Sequence, residues 1–145
     1  MEEKKLIDFQ PEWGKLVLKA QDYESLNSAE RVWFNVQNLI QSVDNGGLIS
    51  YYYNSDGDYL ADCMQDLLSI GAPQIVDLLR KINELFPNGK PSRDIEGRNK
   101  IISSWEDGKY DGLLEELDSK FYHHEEDLEN LLTNHIMRNR LAGED

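Results

Sequence analysis

Apolar residues along this chain recur every three or four positions, the spacing of one helix face, and nowhere alternate singly as a half-buried strand requires. The clearest stretch is NSAERVWFNVQNLIQSV, from Asn27 to Val43. Ala29, Val32, Trp33, Val36, Leu39, Ile40 and Val43 share a face. Asn27 or Ser28 can cap this helix, with Glu30 placed to close a capping box from Asn27. Asn45-Gly46-Gly47 stops it, because Asn and Gly accept the left-handed backbone that ends helices. A shorter helix is predicted over Leu48 to Tyr53. Asp56-Gly57 then makes a turn, and Leu60, Cys63, Met64, Leu67 and Leu68 mark a helix over 58–70. Gly71 ends that helix, and Pro73 suits the first turn of the next, which carries IVDLLRKINELF. After the loop from Pro87 to Pro91, Ser92 can cap a helix from Arg93 to Trp105. Two more are predicted, around Tyr110 to Phe121 and from about Glu125 to Arg140. At the front, residues 1–10 read as an arm and Pro11 to about Asp22 as a helix. The expected fold is all-α. It is a single domain over 1–145 of seven or eight short helices, a globule and not a regular four-helix bundle, because the helix lengths differ so much.

Composition narrows the partners. The chain has 28 acidic against 15 basic side chains, a formal charge of −13, yet is 39% hydrophobic, so the excess charge should decorate a folded surface. That sign of charge disfavours direct nucleic-acid binding and docking on anionic lipid, and points to a basic macromolecular partner. The opening MEEKKLIDFQPEW lacks the apolar core of a signal peptide, and no apolar run approaches the roughly 20 residues that span a bilayer. A soluble, cytoplasmic protein is expected. One cysteine, Cys63, and three histidines form no cluster at zinc spacing.

Candidate chemistry is sparse. Asn54-Ser55-Asp56-Gly57-Asp58 offers oxygen ligands spaced by two, as calcium loops do, but its glycine is at the wrong offset and Gln65 stands where a bidentate Glu is needed. A turn with a capping side chain is the simpler reading. His123 and His124 are adjacent and point about 100° apart on a helix, so they cannot grip one ion together. His135 lies on the apolar stripe of Leu128, Leu131, Leu132 and Ile136, as a hydrogen-bonded histidine at the edge of a core would. Tyr51, Tyr52 and Tyr53 span most of a turn, so at least one should face the core and another its edge. No catalytic residue, metal ligand or cofactor is assigned, and no phosphate loop, H-E-x-x-H or G-x-S-x-G is found.

The acids, by contrast, have geometry. Asp58, Asp62 and Asp66, spaced by four, lie opposite the apolar face of their helix, at a pitch of roughly 6 Å. Asp111, Glu115 and Asp118 repeat the arrangement opposite Leu113, Leu114, Leu117 and Phe121. Between Glu106 and Glu129 there are ten acids and two lysines, a local net of 2 − 10 = −8. Like charges four apart cost a helix a few tenths of a kcal/mol per pair, so these rows do not serve helix stability. They suit either solubility or a partner that binds phosphates.

RVWFNVQNLIQSVDNGG, then YYYNSDGDY, a helix ending in IGA, one ending in LFP, and a Pro-containing loop leading into SRDIEGR follow one another in order over roughly residues 28–138. Their most recognisable words are Asn45-Gly46-Gly47, Tyr53-Asn54, Gly57 and Phe86-Pro87. In this succession the chain resembles the bacterial DNA-mimic protein family. The resemblance implies an all-α fold, no known catalytic activity, a dimeric protein, and an acidic surface that occupies the DNA-binding face of a helix-turn-helix transcription factor and so relieves repression. The leading expectation is therefore an interaction module whose Asp58, Asp62, Asp66, Asp111, Glu115 and Asp118 accept Lys or Arg of a basic DNA-binding protein. Two other readings stay open: an immunity or antitoxin-like protein that neutralises a basic toxin, and an enzyme with a cryptic carboxylate site.

Overall fold

A computed structural model describes residues 4–143. Among them are seven α-helices, four short 3-10 turns and no strand. The helices are α1 (Gln10–Lys19), α2 (Ser28–Gly46), α3 (Leu48–Tyr53), α4 (Leu60–Ser69), α5 (Pro73–Asn83), α6 (Ile95–Ser104) and α7 (Asp111–Arg138).

The centre is α2, whose start and stop are local chemistry. Asn27 Oδ1 accepts from the Glu30 N–H at 2.8 Å, and Glu30 Oε1 accepts from the Asn27 N–H at 3.0 Å. The helix ends at Gly47, where φ is +83°; a Cβ there would collide with the Asp118 carboxylate of α7. Trp33, Val36, Leu39, Ile40 and Val43 are buried beneath α1, α3, α4 and α7, all of which pack on α2. Farther out, α5 bridges α4 and α7, and α6 lies on α3.

Three boundaries differ from expectation. Of the arm expected over 1–10, residues 1–3 lie outside the described residues. Leu6–Phe9 instead forms a 3-10 turn, with Phe9 buried and edge-on to Trp33 at 6.4 Å between ring centres. The cap of α6 is Asp94, whose Oδ2 accepts from the Gly97 N–H, while Ser92 Oγ accepts from the Asp94 N–H one step upstream. Most consequential, the two helices expected after Tyr110 are one helix of 28 residues, not short at all. The polar run after Phe121 reads as a break, but it holds no Gly or Pro to enforce one. Phe121 and Leu128 are a heptad apart, and seven residues return a helix to nearly the same face, so both are buried on one seam.

Candidate partner-binding surface

The two expected acid rows have different fates. The first turns inward. Asp66 is 2% exposed: its Oδ2 accepts from Asn35 Nδ2 at 2.9 Å and its Oδ1 from Arg31 Nη2 at 3.3 Å, both on α2. Burial raises the Asp66 carboxyl above its usual range, against the pull of Asn35 and Arg31. Asp62 is half-buried and accepts from the Tyr23 hydroxyl at 2.8 Å, and that hydroxyl accepts in turn from Asn35 at 2.9 Å. Asp58 pairs at 2.8 Å with Arg98, which is fully buried. The exposed stripe expected at 58, 62 and 66 is corrected here: α4 packs on α2 through its polar side, so Asp66 is buried, and half-buried Asp62 and one-third-exposed Asp58 are each engaged by a side chain of the protein. The signal was present on α2, where Arg31, Asn35, Asn38 and Ser42 recur at helical spacing as a polar stripe, the last three of them buried.

The second row is longer than expected, and it faces water in part, with Asp118, Glu125 and Glu129 half-buried. Asp111 and Glu115 are exposed. Because α7 continues unbroken, the same side of the helix goes on through Asp118, Glu126 and Glu129, with Glu125 beside them. From Asp111 to Glu129 it runs about 27 Å at 1.5 Å per residue. Asp118 has a structural task as well, since its Oδ1 accepts from the Leu48 N–H at 2.8 Å and so ties the start of α3 to α7. Exposed Tyr122 sits in the row and donates to the Val43 carbonyl at 2.9 Å.

Midway, the row is crowded enough to hold a proton. Glu125 is pushed up to about 8, chiefly by burial of its carboxyl, then by its hydrogen bond to Asp44 and repulsion from Asp44 and Glu129. Glu129 is raised too, by burial first and then by Asp44 and Glu126. The folded protein thus binds a proton at Glu125 that the unfolded chain releases near the ordinary value of 4.5. Since the folded state holds more protons between pH 4.5 and 8, this group's contribution to stability declines as pH rises through that window. Glu125→Gln is expected to melt higher than the parent at pH 8 and close to it at pH 5. Thermal melts of both proteins at the two pH values check this; an equal gap at both would mean that Glu125 titrates normally.

Arg98, which sequence reasoning left unassigned, organises the recognisable words of the chain. Its Nε donates to the Tyr52 carbonyl at 2.9 Å, Nη1 to the Ser92 and Arg93 carbonyls, and Nη2 to the Asn54 carbonyl at 2.9 Å, beside the Asp58 pair. Gly57 lies against this fork: a Cβ there would sit 2.7 Å from the Tyr51 carbonyl oxygen and 3.0 Å from Arg98 Nη2. Phe86 stacks on Tyr52 at 5.7 Å and meets Trp105 edge-on at 5.4 Å. These residues build the fold.

Other candidates behave as structure. His135 Nε2 meets the Ala29 carbonyl at 2.9 Å, while Asn139 Nδ2 approaches Nδ1 at 3.3 Å, which assigns Nε2 as the protonated nitrogen. Tyr51 and Tyr52 are buried and Tyr53 is half exposed, as their spacing requires. Cys63 is buried, and burial pushes its thiol up to about 12, out of reach of thiolate chemistry at neutral pH. Among the described residues no three His, Cys, Asp or Glu side chains are placed to hold a metal ion, and no helix is long and apolar enough to cross a membrane.

A model of the family described as DMP19-like protein matches residues 24–139, a span that holds α2 to α7 and leaves α1 outside. No curated protein and no solved structure matches the chain.

Proposed function

From its place in the DMP19-like protein family, to which this chain belongs, we propose that it is a DNA mimic acting on a DNA-binding regulator. On this reading the acid row of α7 lies against the basic DNA-binding surface of the regulator, each carboxylate taking a Lys or Arg that otherwise holds a phosphate. The observation that supports it best is that row: exposed Asp111, Glu115 and Glu126 on one side of a continuous helix, with half-buried Asp118 and Glu129 between and beyond them, in a chain of net charge −13. Residues four apart on a helix rise about 6 Å, and neighbouring phosphates of one DNA strand are separated by roughly 6 to 7 Å. The Asp111–Glu115 step therefore matches the spacing of neighbouring phosphates, and Glu126 adds a further charge about 16 Å along the same side. Asp111, Glu115 and Glu126 carry the contact. Asp58, Asp62 and Asp66 support the fold that displays it.

Tagged protein, exposed to nuclease-treated lysate of its source cells at low salt and eluted in a salt gradient, tests the proposal. One basic DNA-binding protein, leaving within the gradient and displaced by duplex DNA, is the expected result. Capture of a toxin that duplex DNA does not displace would replace mimicry with an immunity role. An empty or nonspecific eluate would return the question to an enzyme with a cryptic carboxylate site.

A further inference from the structure

Beside the acid row, the end of α3 and the connection between α6 and α7 enclose a cleft of about 220 Å³. Tyr53, Trp105 and Tyr110 wall it, and Glu106, Asp107 and Asp111 stand at its rim. All three acids are exposed, and Tyr53 keeps 48% of its surface open to water. We infer that this cleft receives one arginine side chain of the basic partner, with the guanidinium against the aromatic walls and its N–H groups toward the rim acids. The inference rests on the reading of α7 as a partner surface and names where its most specific contact lies.

Size decides against a free metabolite, because small-molecule pockets run from about 300 to 1,000 Å³. Chemistry selects the side chain. An aromatic face attracts a cation, a planar guanidinium stacks on it better than an ammonium does, and carboxylates at the edge satisfy the donors left over. The chain's own Lys109 already places Nζ 5.3 Å from the centre of the Tyr110 ring. The walls are held in place from behind: Trp105 meets Tyr110 edge-on at 5.0 Å and Phe86 at 5.4 Å, and Phe86 stacks on buried Tyr52. A preformed aromatic slot at the edge of a charged surface is the form that binding hot spots take.

The probe is N-acetyl-arginine amide, titrated into the intact, isotope-labelled protein while the Trp105 indole N–H and the Gly108 amide are followed by NMR. Its neutral citrulline analogue serves as control. A saturable shift confined to these signals, seen with the arginine compound alone, is expected. Tyr53→Ala and Asp107→Asn, both at exposed positions, should each weaken it by about two- to fivefold, and Lys109→Ala should strengthen it by removing a competing cation. Equal responses to the two compounds, or shifts spread along α7 without saturation, would overturn the cleft. Because no partner protein is present, failure here leaves the lysate result standing. A failed capture in lysate alongside a clean titration would instead fault the mimicry reading alone.

Discussion

Arg98→Ala is expected to cost about 3 to 5 kcal/mol of folding stability, a large share of the 5 to 15 kcal/mol that a domain has to lose. The side chain is fully buried, and its removal strands the carbonyls of Tyr52, Asn54, Ser92 and Arg93 together with the Asp58 carboxylate. Arg98→Lys separates two explanations. If the side chain matters as a charge opposite Asp58, lysine should restore most of the loss. If it matters as a planar fork, lysine should restore little, since an ammonium has three donors on one atom and cannot reach carbonyls spread around the edge of the guanidinium. The fork is expected to win, because Asp58 is one-third exposed and water already screens its pairing. Asp58→Asn should accordingly cost far less than Arg98→Lys. Urea unfolding of the three variants gives the order, and a lysine variant close to the parent would assign the site to charge.

Arg98 also marks where sequence reading stops. A helix that carries its own cap and stop is legible because the forces are local: Asn27 and Glu30 sit three residues apart, and Gly47 needs only its own φ. Arg98 makes bonds to residues 44 and 46 positions away, and nothing in its neighbourhood separates it from a surface arginine. The same distance in sequence hid the fate of Asp66. Opposition to an apolar face puts a residue in water only when one side of the helix is covered, and α4 is covered on its polar side by α2. Reading the polar stripes of the two helices together, Arg31 and Asn35 against Asp62 and Asp66, would have paired them. The row on α7 was half legible for the opposite reason. Asp111, Glu115 and Asp118 were recognisable one turn at a time, but their extension to Glu129 required that the helix continue through Tyr122-His123-His124. Burial of Leu128, Leu132 and Ile136 on the seam begun by Leu117 and Phe121, together with the Tyr122 hydrogen bond to Val43, holds that segment in line.

Replacing Asp111 with Asn and Glu115 and Glu126 with Gln together is expected to weaken binding to the captured regulator by at least about tenfold, that is about 1.4 kcal/mol, while the protein stays folded. All three are exposed, so no buried partner is stranded, and removing like charges from one face relieves repulsion along it. The salt dependence should change with the affinity. A mimic that replaces phosphates gives a binding constant that falls with ionic strength, and fewer carboxylates make that fall shallower. Asp66→Asn is the counterpart. Its carboxylate lies inside the α2–α4 interface, so it should lower the unfolding midpoint and leave both the affinity of the folded protein and its salt slope unchanged. Binding measured at several salt concentrations, with melts on the same samples, separates the two acid rows. A triple variant that binds as the parent does would remove α7 from the interface. An Asp66→Asn protein that melts normally and binds poorly would put the α4 acids back on the surface, where helical periodicity alone had placed them.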